Sequence, residues 1–203
     1  MFPGLVLAFV LAVSLSNVET AAKRGNAASN VDIKKFYSTN ETSWTYNTTK
    51  HTSYDCVRDV TNNITDVNVT YTRFSTLGGS PRYSLLKGVF VRNLTEESRI
   101  ATGLYNAMDV LDEDGDFWWR ERLEYATNDY SCGVFSVMIP TRNRVKTSYD
   151  LRLKNSAVQS TLDQTCLERF KALSINSTVT QLYTSDCQKV LQTSPSASPQ
   201  MIS

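Results

Sequence analysis

FWWRERLEY, at residues 117–125, is the stretch of this 203-residue chain that indicates its fold most clearly. Successive side chains of a β-strand point to opposite faces, so odd and even positions form separate rows. The odd row is Phe117, Trp119, Glu121, Leu123 and Tyr125, and the even row is Trp118, Arg120, Arg122 and Glu124. Because the odd row is far more apolar, we predict a strand whose odd-numbered side chains face an interior.

Seven other segments share this strand-like composition, being rich in Thr, Val, Tyr and Phe. They are residues 43–48, 54–64, 66–75, 83–92, 100–111, 132–140 and 147–154. Turn sequences separate them, including LGGSP at 77–81 and DEDG at 112–115, whose glycines supply positive φ. Eight antiparallel strands predict a mainly β fold that closes into a barrel, because closure leaves no exposed edge.

One later segment has helical periodicity instead. Leu162, Cys166 and Phe170 recur every four residues, which predicts an α-helix at 160–173 with Asp163 near its start. A short helical turn is predicted to begin at Asp32, whose side chain would cap it.

Sequons, cysteines and an apolar leader indicate secretion. The six N-x-Ser/Thr sequons are at Asn40, Asn47, Asn63, Asn68, Asn93 and Asn176. The apolar run at 5–15 has signal-peptide length and is too short to span a bilayer. Four cysteines without C-x-x-C spacing are typical of two disulfides in an oxidising compartment. We therefore expect a secreted, extracellular glycoprotein.

The predicted organisation is a single domain with flexible ends. We assign residues 1–16 to a signal peptide, with cleavage as late as 22 as the alternative, and 17–31 to a flexible N-terminus. The domain covers 32–190, and a disordered Ser/Pro-rich tail covers 191–203.

Charge and residue types argue against several function classes. A net charge of +1 with scattered basic residues disfavours nucleic acid and membrane partners. One histidine, His51, leaves little basis for a metal site or for His-based catalysis. Glu121 and Glu124 fall on opposite strand faces, so they cannot act together on one bond. We expect no enzyme activity and no cofactor.

Four local sequences resemble the salivary lipocalins of blood-feeding ticks, the histamine-binding-protein-like family. They are FYSTNETSWTYNTT at 36–49 followed by YDC at 54–56, YSCGVF at 130–135, YDLRL at 149–153, and Cys166 in the helix that follows. The resemblance covers nearly the whole mature chain. It implies an eight-stranded antiparallel lipocalin barrel with a C-terminal α-helix packed on its wall.

The resemblance also implies a function and a disulfide pattern. Such proteins sequester small host mediators such as histamine, serotonin and leukotrienes. The pairing implied is Cys56–Cys187 and Cys132–Cys166, with a contribution of about 3–4 kcal/mol from each bond. Amine binders of this family carry an acid after the third-quarter cysteine and an aromatic on the next strand. Here Gly133 and Arg152 stand at those positions.

A ligand pocket is predicted inside the barrel. If Asn68 faces outward to carry a glycan, Tyr71 and Arg73 face inward. The predicted ligand-binding residues are Phe117, Trp119, Glu121, Tyr125, Tyr71, Arg73, Phe135 and Tyr149. Glu121 among aromatic rings would receive a small cation through charge and cation–π attraction. Three alternatives stay open: Glu121 pairs with an inward Arg such as Arg73, Glu121 lies at the barrel rim, or Arg73 receives the carboxylate of a lipid.

These observations lead to one preferred function and several alternatives. We expect a monomeric secreted lipocalin that sequesters a biogenic amine, histamine or serotonin. A leukotriene, a fatty acid or a sterol is the alternative small-molecule ligand. A further alternative is an immune modulator that binds a host protein through Trp118, Arg120 and Arg122, with the barrel as a scaffold.

Overall fold

Residues 31–92 and 104–189 are described in this computed structural model, and they form a closed antiparallel barrel. Its eight strands are β1 (Ser43–Thr48), β2 (Tyr54–Ile64), β3 (Asn68–Leu77), β4 (Ser80–Val91), β5 (Ala107–Leu111), β6 (Phe117–Ala126), β7 (Cys132–Pro140) and β8 (Val145–Lys154). Each strand from β2 to β7 pairs with the strand that follows it in the chain, and β1 pairs with both β8 and β2, which closes the barrel. The predicted fold class, an eight-stranded barrel with a C-terminal helix, is confirmed.

Smaller elements complete the fold. The helices are α1 (Ile33–Tyr37), α2 (Asn155–Val158) and α3 (Gln164–Leu173), and a two-residue strand, β9 (Thr180–Gln181), pairs with β1. None of the helices in the described ranges is long and apolar enough to cross a bilayer. The predicted signal peptide at 1–16, the predicted flexible N-terminus up to residue 30, the predicted tail at 191–203 and Asn93 lie outside these ranges.

Strands β1, β2 and β7 have the predicted bounds, four other strands shift by one to three residues, and two elements differ more, for clear reasons. The strand predicted at 100–111 begins only at Ala107, because the Tyr105 carbonyl accepts a 2.7 Å hydrogen bond from Ile33 of α1. Helix α3 begins at Gln164, later than predicted, because the Asp163 side chain caps it by accepting from the Cys166 amide.

The two ends of the barrel differ. One end holds α1 and the connections at 65–67 and 127–131, and we call it the closed end. The other end, which we call the open end, has the connections at 49–53, 78–79, 112–116 and 141–144. Gly78 and Gly79 at this end have φ of +56° and +79°, which residues with a Cβ rarely adopt.

Helix α1 closes its end of the barrel by inserting two aromatic side chains. Asp32 caps the helix as predicted, and its carboxylate accepts from the Lys34 amide. Phe36 and Tyr37 are almost fully buried, and the Phe36 ring packs edge-on against Phe135 at 4.9 Å. The closed half of the interior is therefore filled by side chains.

Helix α3 covers the outer face of β7 and β8. Its buried Cys166 and Phe170 pack with Val134, Leu151 and Leu153 in a cluster outside the barrel. The disulfide Cys132–Cys166 fastens this helix to β7, and Cys56–Cys187 fastens the C-terminal segment to β2. These are the two pairs that the family resemblance implied.

The sequon asparagines within the described ranges lie at the surface. Asn40, Asn63 and Asn176 are exposed, and Asn47 and Asn68 are partly exposed. Each can therefore present its side chain to solvent, which an attached glycan requires.

Candidate functional site

A buried carboxylate, Glu121, lies at the centre of the barrel and is fully enclosed by hydrogen-bond donors. Arg152 donates from Nη1 to Oε2 at 2.6 Å and from Nη2 to Oε1 at 2.9 Å. Arg73 Nη2 donates to Oε1 at 3.2 Å, and Trp119 Nε1 donates to the same oxygen at 2.9 Å. The Tyr37 hydroxyl donates to Oε2 at 3.3 Å. Glu121 is therefore an ion-pair partner of two arginines.

Two further carboxylates share these arginines. Asp59 accepts from Arg73 Nε at 2.7 Å and from Nη2 at 2.8 Å, a bidentate pair. Asp150 accepts from Arg152 Nη2 at 2.9 Å. We call these five side chains the ion-pair layer: Asp59, Arg73, Glu121, Asp150 and Arg152. It crosses the barrel from β2 and β3 to β6 and β8.

The layer exists because the inward rows of four strands carry these residues at one height. Val69, Tyr71 and Arg73 form the inward row of β3, and the odd row of β6 places Trp119, Glu121 and Leu123 inside. On β8 the inward row is Ser148, Asp150, Arg152 and Lys154, because Arg152 reaches Glu121 inside the barrel and Asp150 accepts a hydrogen bond from Arg152.

Electrostatics keep Glu121 and its two arginine partners ionised at neutral pH. Burial alone would raise the pKa of Glu121, but Arg152 and Arg73 together with their hydrogen bonds hold it far below its usual range. Burial likewise opposes the charge of Arg152, but Glu121 and the other acceptors raise its pKa above the normal value. The mutual pairing thus outweighs desolvation.

The interior on the closed side of the layer has no room for a ligand head group. A Cβ built on Gly133 would lie 2.8 Å from a Phe36 ring carbon and 3.0 Å from a Phe135 ring carbon. Lys154 is 2% exposed and lies 4.1 Å above the Phe36 ring centroid. An aromatic ring and a cation thus occupy the space beside position 133.

The ion-pair layer is partly exposed to solvent, because Arg73 and Asp150 are not fully buried. Arg73 keeps 19% of its side-chain surface exposed, and its Nη1 makes no hydrogen bond with any residue of the described ranges. Apolar surface on the open side of the layer comes from the inward-facing side chains Trp119, Val137 and Ile139, which lie level with the ion-pair layer or nearer the open end. Ser148 Oγ is buried there without a protein partner in the part of the chain that the structure describes.

Comparisons with known proteins identify the architecture. No protein-family model matches the sequence, and no curated protein sequence matches it. Solved structures do match, including the serotonin complex of AM182, with a TM-score of 0.57 and 14% identity over 77% of this chain and 92% of that chain. Apocrustacyanin C2 matches with a TM-score of 0.53 and 12% identity over 82% of this chain and 87% of that chain. The siderocalin Ex-FABP matches with a TM-score of 0.51 and 10% identity over 71% of this chain and 93% of that chain.

The fold is that of the lipocalins. At these identities the likeness establishes the architecture alone, so the lipocalin barrel gives no ligand by itself.

The lipocalin barrel brings five of the eight predicted ligand-binding residues to its interior. These are Glu121, Trp119, Tyr71, Arg73 and Phe135. Phe117 lies at the open end and is 47% exposed. The structure pairs the buried Glu121 with Arg73 and Arg152 rather than placing it at the barrel rim, so the prediction of a lone carboxylate among rings is wrong.

Two predicted pocket residues, Tyr125 and Tyr149, lie outside the lipocalin barrel. Tyr125 packs with the α3 cluster because the β6–β7 register shifts between Leu123 and Tyr125, which ends the simple alternation of the strand. Tyr149 belongs to the apolar row of β8, which lies under α3. The sequence suggested that this row faced inward because it is the apolar one, but the helix buries the outer face instead.

Four site residues were missed: Tyr37, Asp59, Asp150 and Arg152. A signal for two of them was present, because Asp150 and Arg152 alternate with leucines on β8. A strand covered on both faces can direct its charged row into a polar interior. Nothing in the sequence near Tyr37 or Asp59 marks them, since their roles depend on distant strands.

A concavity of about 420 Å³ lies on the outer wall of the lipocalin barrel. Leu85, Lys87 and Leu111 line one side, and Asp112–Gly115 of the β5–β6 connection line the other. The acidic residues of this connection therefore fold back toward β4. Within the described ranges no group of three or more metal-ligating side chains forms a cation site.

Proposed function

We propose that this chain is a secreted lipocalin of the tick salivary kind that sequesters a small host mediator in the open half of its barrel. The observation that carries this proposal is Nη1 of Arg73, which makes no hydrogen bond with any residue of the described ranges although the side chain keeps 19% of its surface exposed. A guanidinium N–H that lacks an acceptor is a ready donor for a ligand oxygen.

An anionic amphiphile fits this site best. The Arg73 guanidinium lies 5.4 Å from the Trp119 ring centroid and 5.7 Å from that of Tyr71, so its position is fixed. Arg82 and Lys146 continue the inward rows of β4 and β8 toward the open end. A carboxylate at Arg73 with an acyl chain along Trp119 and Val137 describes a leukotriene or a fatty acid.

A biogenic amine is the second candidate. The carboxylate on which that prediction depended is occupied, because Glu121 pairs with two arginines. Position 133, where amine binders of the resembled family carry an acid, holds a glycine that faces Phe36. One observation still favours a cation, although the buried Lys154 ammonium near Asp59 already balances the third carboxylate of the layer. Asp150 keeps 11% of its side-chain surface exposed and could accept an ammonium.

A sterol ligand and a scaffold role have less support from this geometry. A sterol would use neither charge of the layer. For the scaffold role, Trp118 is 44% exposed on the outer wall, but Arg120 and Arg122 are paired with Asp109 and Glu124. Secretion and glycosylation remain predictions from the leader and the sequons, and a mass shift on endoglycosidase treatment would test the second.

Titration calorimetry of the purified protein tests the proposal. The ligands are a leukotriene, a long-chain fatty acid, histamine, serotonin and a sterol. We expect the leukotriene or the fatty acid to bind. Arg73→Gln should weaken this binding about 10- to 100-fold, since a hydrogen bond to a charged group contributes about 1.5–3 kcal/mol.

Arg120→Gln is the matched control. Arg120 also forms a two-nitrogen pair with an aspartate, Asp109, but on the outer wall. Its substitution should leave affinity unchanged, and melting curves would verify that both variants fold. Binding of amines without binding of anionic lipids would replace the first candidate by the second. Full lipid affinity in Arg73→Gln would reject the assigned head-group site.

A further inference from the structure

A dense group of cations lies at the open end, in the connection between β7 and β8. Arg142, Arg144 and Lys146 are all exposed and fall within five residues. The Arg144 carbonyl accepts from both the Thr141 amide and the Thr141 hydroxyl, at 2.8 and 2.6 Å, which fixes the turn. None of the three cations forms an ion pair with another residue of the described ranges.

A neighbouring connection adds to this group. Thr49 at the end of β1 exchanges hydrogen bonds with Tyr149, its amide donating to the carbonyl at 2.9 Å and its Oγ1 accepting from the amide at 2.8 Å. Lys50 and His51 follow directly and are exposed. Lys146 precedes Tyr149 by three positions on the same strand, or about 10 Å. We call these five side chains the basic rim: Lys50, His51, Arg142, Arg144 and Lys146.

The acidic connection at the same end forms no ion pair with the basic rim within the described ranges. Asp112, Glu113 and Asp114 line the outer-wall concavity with Leu85 and Lys87 of β4. They therefore lean toward β4, on the side away from β7. Charges further apart than about 8 Å are largely screened at physiological ionic strength, so the rim presents a local positive field although the net charge is only +1.

We propose that the basic rim binds a sulfated polysaccharide. Several solvent-exposed cations without acidic partners suit a flexible chain that carries closely spaced sulfates, because each contact releases counterions. No sequon occurs between Asn93 and Asn176, so the β7–β8 connection belongs to a part of the sequence that has no glycan acceptor. This binding goes beyond mediator capture and would hold the protein at extracellular matrix.

Nucleic acid and a lipid bilayer fit the rim less well. Its five residues include no Trp, Tyr or Phe, so they offer no platform for stacking nucleic-acid bases. The exposed apolar side chain next to the cations of the β7–β8 connection is Val145, the first residue of β8, which is too small to anchor the protein in a bilayer. Binding of either one becomes an outcome of the test.

The test is binding of a size-defined heparin oligosaccharide to the full-length protein by calorimetry at physiological ionic strength. The decisive variant is the triple substitution Arg142→Gln, Arg144→Gln and Lys146→Gln. The control triple is Lys35→Gln, Arg169→Gln and Lys171→Gln, which removes the same charge from exposed positions elsewhere. We expect at least about a tenfold loss for the rim triple, less than about twofold for the control, and weakening of wild-type binding by added salt.

Three results would overturn the inference. They are no heparin binding by the wild-type protein, equal losses in the two triple variants, and tighter binding of phosphatidylserine vesicles or single-stranded DNA than of heparin. Arg73→Gln should bind heparin normally, so failure of this inference and failure of the proposed mediator site can be told apart. All substituted rim residues are exposed, and unchanged melting temperatures would confirm intact folding.

Discussion

Arg152 Nη1 lies 2.6 Å from Glu121 Oε2 in the middle of the barrel, and both side chains are at most 1% exposed. One of these residues comes from β8 and the other from β6, so the pair spans the barrel interior. A buried ion pair of this kind costs desolvation on both sides and is retained only while both partners are present. This relationship governs stability as well as ligand choice.

Removing one member of the pair should be strongly destabilising. In Glu121→Gln, Arg152 and Arg73 lose their shared carboxylate, and we expect unfolding free energy to fall by about 3–5 kcal/mol. Urea denaturation measures this change. Asp109→Asn, which breaks the outer pair with Arg120, should cost only about 0–1 kcal/mol. Equal losses of unfolding free energy in the two variants would mean that the buried pair contributes no more to stability than the exposed pair.

Lys154 should make stability rise in mildly alkaline solution. Burial lowers its pKa to about 8, although Asp59 opposes the shift. Between about pH 8 and 10.5 the unfolded chain binds the extra proton, so stability rises with pH by up to about 3 kcal/mol. Burial raises the pKa values of Tyr37 and Tyr71, so ionisation of these tyrosines in the unfolded chain lowers the stability of the protein above about pH 10. The rise in stability due to Lys154 is therefore measured below that pH.

The matched variant is Lys154→Met. It should be more stable than wild type at neutral pH and should lack the rise above pH 8, which denaturation curves at several pH values would reveal. Parallel pH profiles for the two proteins would contradict the assignment to Lys154.

Gly133 should tolerate no side chain. Its Cβ would approach Leu123 Cδ1 to 3.2 Å and the Phe36 and Phe135 rings more closely still. We expect Gly133→Ala to destabilise by about 1–3 kcal/mol through overpacking. The double variant Gly133→Ala with Phe36→Leu should recover part of this loss relative to Phe36→Leu alone. A purely additive double-mutant cycle would show that Phe36 is not the obstacle.

The two disulfides should differ in their contributions. Cys56–Cys187 spans 131 residues and Cys132–Cys166 spans 34. Chain entropy predicts losses of about 5 and about 4 kcal/mol when each pair is replaced by alanine. Thermal unfolding under oxidising conditions measures both. A larger loss for the shorter loop would indicate that fastening α3 matters more than loop entropy.

The strands could be predicted well from the sequence because alternation and turn residues are local signals. β1, β2 and β7 have the predicted bounds. The direction of each row was less certain, because it depends on what covers the strand. On β6 the apolar odd row faces inward as far as Leu123, whereas on β8 the apolar row with Leu151 and Leu153 faces α3.

The candidate site could be predicted only in part for a related reason. Glu121, Arg73 and Trp119 follow from alternation on single strands. Their mutual pairing, and the roles of Asp59 and Tyr37, require the barrel to bring β2 and α1 beside β6. No spacing along the chain encodes that contact.

Glu121 accepts hydrogen bonds from four different side chains, and so it cannot easily reorient. If the proposed site binds a mediator, that mediator would therefore meet a surface whose shape is set in advance. Chemically similar mediators should then be captured at similar rates and differ chiefly in residence time.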